Sequence, residues 1–195
     1  PYIETDEPNP VNVYGQTKLA GERAIVASGC AHLILRTSWI YSSRRSNFVL
    51  TILRLARERK ELAVVSDQIG SPTWARALAR TSAELLGKVD GKREKTGIYH
   101  LSAGGYASRC DFAQKIIEIA RQLYDKNTGW ATVRPTTNAE YPPLPAKRPL
   151  NAATSKEKIK RVFGIEMPDW AEQLNSYLDE LASDRPNPVS RLAAT

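Results

Sequence analysis

The sequence predicts an α/β protein, and three features of its 195 residues support that class. Short apolar runs alternate with longer segments of helical spacing through the first half, an order typical of parallel strands joined by crossover helices. The hydrophobic content of 42% and the charged content of 25% are ordinary for a globular protein with a buried core. No apolar run approaches the ~20 residues that a membrane span needs. We therefore expect one α/β domain, or one domain and part of another, with no membrane partner.

The first half is predicted to contain three helices and two strands. Asn12 is a favourable N-cap and Gly29 a favourable stop for the first helix, and Ser46 or Asn47 caps the second helix. The strands are short apolar runs of the kind that parallel sheets bury. In chain order, the expected elements are a helix over 12–28, a strand over 32–37, a helix over 47–60, a strand over 62–65, a loop over 67–73 and a helix over 74–86.

The second half is predicted to be mostly helical, with short strands. Ser108 caps a helix that has Asp111 in its first turn, where a carboxylate is favourable. The segment 136–149 holds four of the twelve prolines and is expected to be irregular. In chain order, the expected elements are a strand over 97–101, a helix over 108–123, a strand over 132–135, helices over 155–163 and 168–181, and a flexible tail over 183–195.

Tyr14 and Lys18 are the most informative pair of side chains. Four residues apart on a helix, they lie on one face and one turn apart. A phenol is a weak acid, and a nearby ammonium group stabilises its phenolate form, so the pair has the parts for proton transfer to or from a substrate oxygen. The alternative is chance, because roughly 0.5 such pairs are expected at random in a chain of near-average composition.

Candidate ligand-binding residues follow three of the predicted strands. Thr37, Ser38 and Trp39 come after the first strand, residues 66–68 follow the second, and residues 102–106 follow the third. Ligands of open parallel sheets bind at the carboxyl ends of the strands. We therefore expect a binding site near these residues.

The cysteines, histidines and charges narrow the class of function. Cys30 and Cys110 are isolated, which is typical of reduced cytosolic proteins, and no His or Cys has metal-ligand spacing, so no metal site is predicted.

The net charge of +7 favours an anionic partner, either nucleic acid or a phosphorylated small molecule. The basic residues are scattered or interleaved with Glu, which favours solvated helix faces over a nucleic-acid-binding stripe. Residues 1–6 lack the features of a signal peptide, and a cytoplasmic location is expected.

The glycines do not form a phosphate-binding turn. No GxGxxG, GxxGxxG or GxxxxGKS/T pattern can be built from the positions of the eleven glycines. Residue chemistry alone therefore indicates an α/β chain whose positive charge is compatible with an anionic ligand and which carries a candidate Tyr–Lys pair.

Six motifs, in order along the chain, resemble those of one enzyme family. Residues 14–22, YGQTKLAGE, are similar to the YGxxKxxGE segment of extended short-chain dehydrogenase/reductases. The other five resemble motifs of the dTDP-4-dehydrorhamnose reductase family, whose members use NADPH to make dTDP-L-rhamnose. They are LRTSWIY with NFV at 35–41 and 47–49, VSDQIGSPT at 65–73, GIYH at 97–100, EYP with AKRP at 140–142 and 146–149, and PDW at 168–170. The resemblance extends from Pro1 to about Leu181.

The resemblance implies a fold and a division of the chain. Residues 1–66 are expected to be the C-terminal part of a NAD(P)-binding Rossmann-like sheet with the Tyr–Lys pair. Residues 67–182 are expected to be mostly a smaller mixed α/β substrate-binding lobe, with segments of the two parts interleaved. Family members also carry a Gly-rich βα turn and a Ser/Thr-Thr-Asp stretch that supplies a third catalytic hydroxyl. This chain has neither, so it is expected to be a truncated piece that is inactive alone.

The resemblance also implies roles for four residues at the cofactor. Tyr14 is expected to protonate the C4 oxygen of the sugar as hydride arrives, and Lys18 to assist that proton transfer and hold the nicotinamide ribose. Thr37 and Ser38 are expected to line the nicotinamide pocket through their backbone.

Five further residues are candidates for substrate binding. Trp39 is expected against the sugar, with core packing as its alternative. Asn47 either places a helix N-terminus at the diphosphate or is a plain N-cap. Gln68 and Thr73 either shape the pocket or serve only the loop that contains them. Arg148 can bind phosphate through two hydrogen bonds, although surface arginines are common in such loops.

The partners follow from the same resemblance. NADPH is the expected cofactor, with NADH as the alternative, and a dTDP-sugar is the expected substrate. Mg²⁺ occurs in the family but is not readable from these residues, and a homodimer is left open. A non-catalytic regulatory or binding relative is the alternative to an enzyme, and nucleic-acid binding is a third alternative that the charge of +7 raises. The intact Tyr14–Lys18 pair favours the enzyme.

Overall fold

Helices and strands alternate along the chain in the computed structural model, which describes residues 1–89, 93–124, 129–141 and 145–184. The helices are α1 (Val13–Ala27), α2 (Phe48–Glu58), α3 (Ala75–Gly87), α4 (Arg109–Leu123), α5 (Glu157–Phe163) and α6 (Trp170–Asp184). The strands are β1 (Leu33–Arg36), β2 (Ile40–Tyr41), β3 (Glu61–Val65), β4 (Ile69–Gly70), β5 (Thr73–Trp74), β6 (Gly97–His100), β7 (Ala107–Ser108) and β8 (Thr132–Thr136). Every predicted helix and strand is present, with ends that differ by up to three residues.

Most of the strand pairing is parallel, which confirms the α/β class. In the described part of the chain the strands form four two-stranded pairs, of which β1–β6, β2–β5 and β3–β8 are parallel and β4–β7 is antiparallel. β1 runs beside β6 with Leu33 opposite Gly97 and Arg36 opposite His100. Each parallel pair joins strands that are distant in sequence, as crossover connections require.

The prediction of a loop over 67–73 is wrong for several of its residues. This segment contains β4 and the first residue of β5. β4 pairs with β7, and β5 pairs with β2, so both strands depend on partners far along the chain. A strand of two residues is too short to show alternation in the sequence, because the period-2 pattern becomes visible only over about four residues or more.

Two apolar clusters form the core. The larger cluster contains buried residues of α2, α4, α6 and β3, and the rings of Phe48 and Phe112 stack in it with centroids 5.4 Å apart. The smaller cluster joins β6 to α5, where the rings of Tyr99 and Phe163 meet edge to face at 5.2 Å. The elements that surround the site described below, α2, β3 and α4, all belong to the larger cluster.

Helix α1 is the exception, since none of its residues is buried. Val13 and Tyr14 are 72% and 71% exposed. The helix nevertheless has the predicted ends, because the side chain of Asn12 accepts a hydrogen bond from the Gly15 N–H and Gly29 has a φ of 68° after the last turn. The face of α1 that carries Tyr14 is therefore open to solvent in this structure.

Part of the irregular segment and most of the tail predicted from the sequence lie outside the described residues, at 142–144 and 185–195. Within the described ranges, no helix combines the length and the apolar composition that crossing a membrane requires.

Candidate functional site

A cleft with a volume of about 620 Å³ opens between α2, β3 and the residues 138–141 and 146–148. α2 and β3 contribute mainly apolar side chains. The polar side chains that line the cleft include Gln68, Arg109 and Arg148. Small-molecule sites in proteins typically have this size, an apolar lining and a few polar groups that orient the ligand.

Arg109 is the most unusual side chain of the cleft. It is the first residue of α4 and directly follows the N-cap Ser108. Its guanidinium carbon lies 3.7 Å from the centroid of the Trp39 ring and 4.9 Å from that of the Phe48 ring. Its buried Nε has no hydrogen-bond partner among the described residues. The two rings thus hold the guanidinium while part of its hydrogen-bonding capacity is unused.

The positive charge of Arg109 stands in an unfavourable environment. Burial, and secondly the charge of Arg148, lower the pKa of Arg109 to about 10. The positive end of the helix dipole at the first turn of α4 also disfavours a cation. In the described part of the chain no carboxylate forms an ion pair with Arg109. An anion in the cleft would stabilise both guanidinium groups, and a phosphate could accept two hydrogen bonds from each.

Trp39 supports Arg109 and is itself held by β4. A Cβ atom on Gly70 would lie 2.5 Å from Cε2 of Trp39, so only glycine allows the ring to approach this closely. Trp39 has a φ of 48°, an uncommon backbone conformation for a residue with a side chain. Its ring also packs against the larger core cluster. Trp39 thus combines core packing with a contact to Arg109, and its contact with a sugar stays a prediction.

Two of the five predicted substrate residues, Gln68 and Arg148, line the cleft. Gln68 is 5% exposed, and its Nε2 donates to Oδ1 of Asn138 at 3.1 Å. This bond joins the end of β3 to the segment on the opposite side of the cleft. The predicted alternative for Gln68, a role within its loop alone, does not describe this contact.

Asn47 and Thr73 are occupied in holding the backbone. Asn47 caps α2 through Oδ1, and its Nδ2 donates to the carbonyl oxygen of Ser42 at 2.7 Å. Thr73 is fully buried, donates to the carbonyl oxygen of Ser71 at 3.0 Å and accepts from the N–H of Ala103 at 3.1 Å. Neither side chain lines the cleft. Asn47 thus acts as an N-cap and Thr73 as a link between backbone segments, and a contact of either with substrate stays a prediction.

Tyr14 and Lys18 lie together on α1, with Nζ of Lys18 5.7 Å from the centroid of the Tyr14 ring. Glu22, one turn further along the same face, accepts two short hydrogen bonds from Arg36, of 2.9 Å from Nε and 2.6 Å from Nη2. Arg36 ends β1 and precedes Thr37, which is exposed. This ion pair places the helix with the Tyr–Lys pair beside the end of β1.

Ser38, the second residue predicted at the nicotinamide, is used within the fold. Its Oγ accepts a hydrogen bond from the N–H of Ser71 at 3.3 Å. It thereby fixes the segment after β1 against the segment after β4. A contact with a cofactor through the Ser38 backbone stays a prediction.

The sequence reasoning missed Arg109, Phe48 and Tyr141 as cleft residues. For Arg109 a signal exists, because a cation directly after a Ser N-cap opposes the helix dipole and so suggests a role other than helix formation. Phe48 and Tyr141 carry no such signal, since aromatic residues are found both in cores and at ligand sites.

The comparison with protein families covers nearly the whole chain. Residues 1–183 match the family described as "RmlD substrate binding domain". The chain belongs to this family. The RmlD assignment agrees with the six motifs, all of which lie within the matched residues.

Relatives of this RmlD-family chain are similar over most of its length. A protein named dTDP-4-dehydrorhamnose reductase from Shigella flexneri is 42% identical over 181 residues, which cover 93% of this chain and 60% of the relative. A crystal structure of dTDP-4-dehydrorhamnose reductase from Bacillus anthracis in complex with NADP has a TM-score of 0.80 and 34% identity, and covers 92% of this chain and 59% of that one. A crystal structure of a dTDP-4-dehydrorhamnose reductase ortholog from Clostridium acetobutylicum has a TM-score of 0.79 and 35% identity. It covers 93% of this chain and 60% of that one.

The chain thus spans about 60% of the length of the curated relatives it matches.

Its residues fit one end of a nicotinamide cofactor, since the exposed Tyr14–Lys18 face lies beside the end of β1. They do not form the Gly-rich turn that holds a dinucleotide pyrophosphate. In the described part of the chain no three His, Cys, Asp or Glu side chains are grouped so that they could hold a metal ion.

Proposed function

We propose that this chain is the substrate-binding part of an NADPH-dependent reductase that converts dTDP-4-dehydro-L-rhamnose to dTDP-L-rhamnose. The observation that carries the proposal is the half-buried guanidinium of Arg109, which has no carboxylate partner among the described residues and, together with Arg148, lines a cleft of ligand size. The names of the relatives supply the sugar nucleotide, and the cleft supplies a place for it.

The cleft suits a nucleoside diphosphate for two reasons. Arg109 and Arg148 provide two positive charges for the diphosphate, and arginine binds phosphate oxygens with two parallel hydrogen bonds. Phe48 and Tyr141 provide aromatic surface on which a pyrimidine base could stack. The amide groups of Gln68 and Asn138 lie in the same lining and can recognise the edge of a base.

Tyr14 and Lys18 carry the proposed chemistry of this chain. When bound, the nicotinamide cofactor supplies a hydride to C4 of the keto sugar, which becomes an alcohol. Tyr14 donates its phenolic proton to the C4 oxygen, and the ammonium group of Lys18 stabilises the phenolate that remains. The exposure of Tyr14 leaves its hydroxyl accessible to both ligands.

NADPH is preferred over NADH here because the Bacillus anthracis relative was crystallised with NADP. The reaction is placed in the cytoplasm, for which the free Cys30 and Cys110 are the support. The Gly-rich turn and the third hydroxyl are proposed to belong to a longer protein of which this chain is a piece, and a homodimer is left open.

Binding of dTDP to the chain tests the proposal. We expect calorimetry to show one site, and Arg109→Gln to weaken binding about tenfold or more, because charge-assisted hydrogen bonds contribute about 1.5–3 kcal/mol. The matched control is Arg54→Gln, which removes an equal charge from the exposed side of α2, where Arg54 pairs with Glu58. Absence of dTDP binding, or an equal loss in both variants, would contradict the proposal.

A further inference from the structure

We propose that Asn12 is a positioning residue that couples ligand binding in the cleft to the start of α1, the helix that carries Tyr14 and Lys18. This inference rests on the proposed function. It starts from the side-chain amide of Asn12, both ends of which are used. Oδ1 accepts a hydrogen bond from the N–H of Gly15 at 2.8 Å, and Nδ2 donates one to the carbonyl oxygen of Lys147 at 2.7 Å.

The second of these hydrogen bonds reaches the lining of the cleft. Lys147 and its neighbour Arg148 both line the cleft. Within the described part of the chain, residues 145–149 are all exposed and make a single hydrogen bond, the one from Asn12. An anion bound by Arg148 would restrict this segment and with it the Lys147 carbonyl group. That restriction is transmitted directly to Asn12.

The first hydrogen bond reaches the catalytic helix. Asn12 accepts from the Gly15 N–H through its side chain and from the Gln16 N–H through its backbone oxygen, at 2.8 and 3.1 Å. These two N–H groups belong to the turn that contains Tyr14. Because α1 buries none of its residues, few contacts determine where this turn lies. Apart from the bonds of Ser28 and Gly29 at the end of the helix itself, hydrogen bonds join residues 12–27 to the rest of the described chain at two points, Asn12 with Lys147 and Glu22 with Arg36.

Capping by itself uses only one end of the Asn12 amide, the acceptor Oδ1. Ser, Asp and Asn cap helices about equally well, because capping uses only a side-chain acceptor. The donor Nδ2 of Asn12 has no part in capping α1, and it is the group that contacts the cleft segment. The coupling is reciprocal by linkage, so a helix start held through Asn12 also favours the ordered form of the segment that binds the ligand.

The test separates capping from coupling with two variants. Asn12→Ser and Asn12→Asp both keep an acceptor for the Gly15 N–H and both remove the donor to Lys147. Asn9→Ser is the matched control, since Asn9 is exposed, lies in the same segment and has no recorded side-chain hydrogen bond. The readouts are the affinity for dTDP by calorimetry and the amide exchange rates of Gly15 and Gln16 by NMR, with and without dTDP.

In the unmodified chain and in Asn9→Ser, dTDP should slow amide exchange at Gly15 and Gln16 roughly threefold. A change of this size is smaller than the change that gaining one whole hydrogen bond would cause. In both Asn12 variants this response should disappear and dTDP should bind about 2- to 10-fold more weakly, while the helix content by circular dichroism is unchanged.

The outcomes distinguish the two proposals. If dTDP binds and exchange at these amides does not respond, or responds equally in the Asn12 variants, the coupling is refuted and the proposed function stands. If dTDP does not bind the unmodified chain, the proposed function fails and the coupling falls with it.

Discussion

The proposed proton transfer depends on one exposed side chain, Tyr14. Its ring is 71% exposed, and its nearest charged neighbour on the helix is Lys18, whose amine lies 5.7 Å from the ring centroid. Arg109 is the opposite case, a guanidinium that burial and a second arginine destabilise. Neither the exposed phenol nor the half-buried cation has an evident structural benefit, and the proposed function would give a role to both.

Tyr14→Phe tests the acid directly, in a protein that contains this chain and reduces dTDP-4-dehydrorhamnose with NADPH. Removing the phenolic proton should lower turnover about 10²-fold or more, since general acids contribute at least this factor. Affinity for dTDP should not change, because the hydroxyl lies outside the cleft lining. Tyr2→Phe, at another exposed tyrosine, is the control. Turnover near the unmodified level would favour the alternative of a non-catalytic relative.

At the scale of elements, caps and short strand pairs position the cleft. α2 and α4 begin with side-chain caps, Asn47 and the Ser108–Asp111 capping box, and the first residue of each helix, Phe48 or Arg109, lines the cleft. The pairs β2–β5 and β4–β7 are two residues long and bring Trp39 and Gly70 together beneath Arg109. The site thus depends on where elements start more than on their length.

The role of Asn47 as a cap predicts a specific pattern of stability. Asn47→Ala should lower the free energy of unfolding by about 1–2 kcal/mol, because the cap to α2 and the bond to the Ser42 carbonyl group are both lost. Asn47→Ser keeps the cap and should lose less, and Ser46→Ala, at the exposed neighbour, should be nearly neutral. Urea unfolding measures the differences. If Asn47→Ser folded normally but lost affinity for dTDP more than about tenfold, Asn47 would be a ligand residue after all.

At the scale of the whole molecule, the half-buried side chain of Lys156 joins three loops. Nζ of Lys156 donates to Oγ of Ser71 at 3.1 Å and to the carbonyl oxygen of Gly105 at 3.4 Å, and it lies 3.9 Å from the centroid of the Tyr106 ring. Through Ser71 and Ser38 this network continues to the segment that contains Trp39. Burial lowers the pKa of Lys156 to about 8.

This lowered pKa predicts a pH dependence of stability. Below pH 8 the amine is protonated in both the folded and the unfolded chain, so it contributes no slope. Between pH 8 and the ordinary value of 10.5 the unfolded chain binds more protons, and the contribution of Lys156 to stability therefore rises with pH. The free energy of unfolding of the unmodified chain minus that of Lys156→Met should increase from pH 8 to pH 10.

Lys160→Met provides the control for this measurement, because Lys160 is exposed and bonded to Glu166, which raises its pKa. The corresponding difference for Lys160 should not rise over the same interval and should fall slightly as the pH approaches 10, because its pKa is raised. A flat difference for Lys156 would show that its amine is solvated in the folded chain.

The sequence by itself determined the order and type of the elements. Caps such as Asn12, Asn47 and Ser108 and the apolar periodicity of α2 and α4 are local signals, so the helices and the longer strands could be predicted to within three residues. The Tyr14–Lys18 contact is local too, because helical spacing alone brings the two side chains to one face. Family motifs added Gln68 and Arg148, which do line the cleft.

The tertiary structure alone decided what these residues are near. The two-residue strands β4 and β5 exist only because distant partners pair with them, and no periodicity precedes that pairing. Local sequence does not show that the Thr73 hydroxyl bonds two backbone groups of the core, and only the fold brings Ala103 to it. Arg109 became a site residue because α4 places it between Trp39 and Phe48, which are 70 and 61 positions away in the sequence. Contacts between distant segments are determined by packing of the whole chain, and local sequence carries no direct record of them.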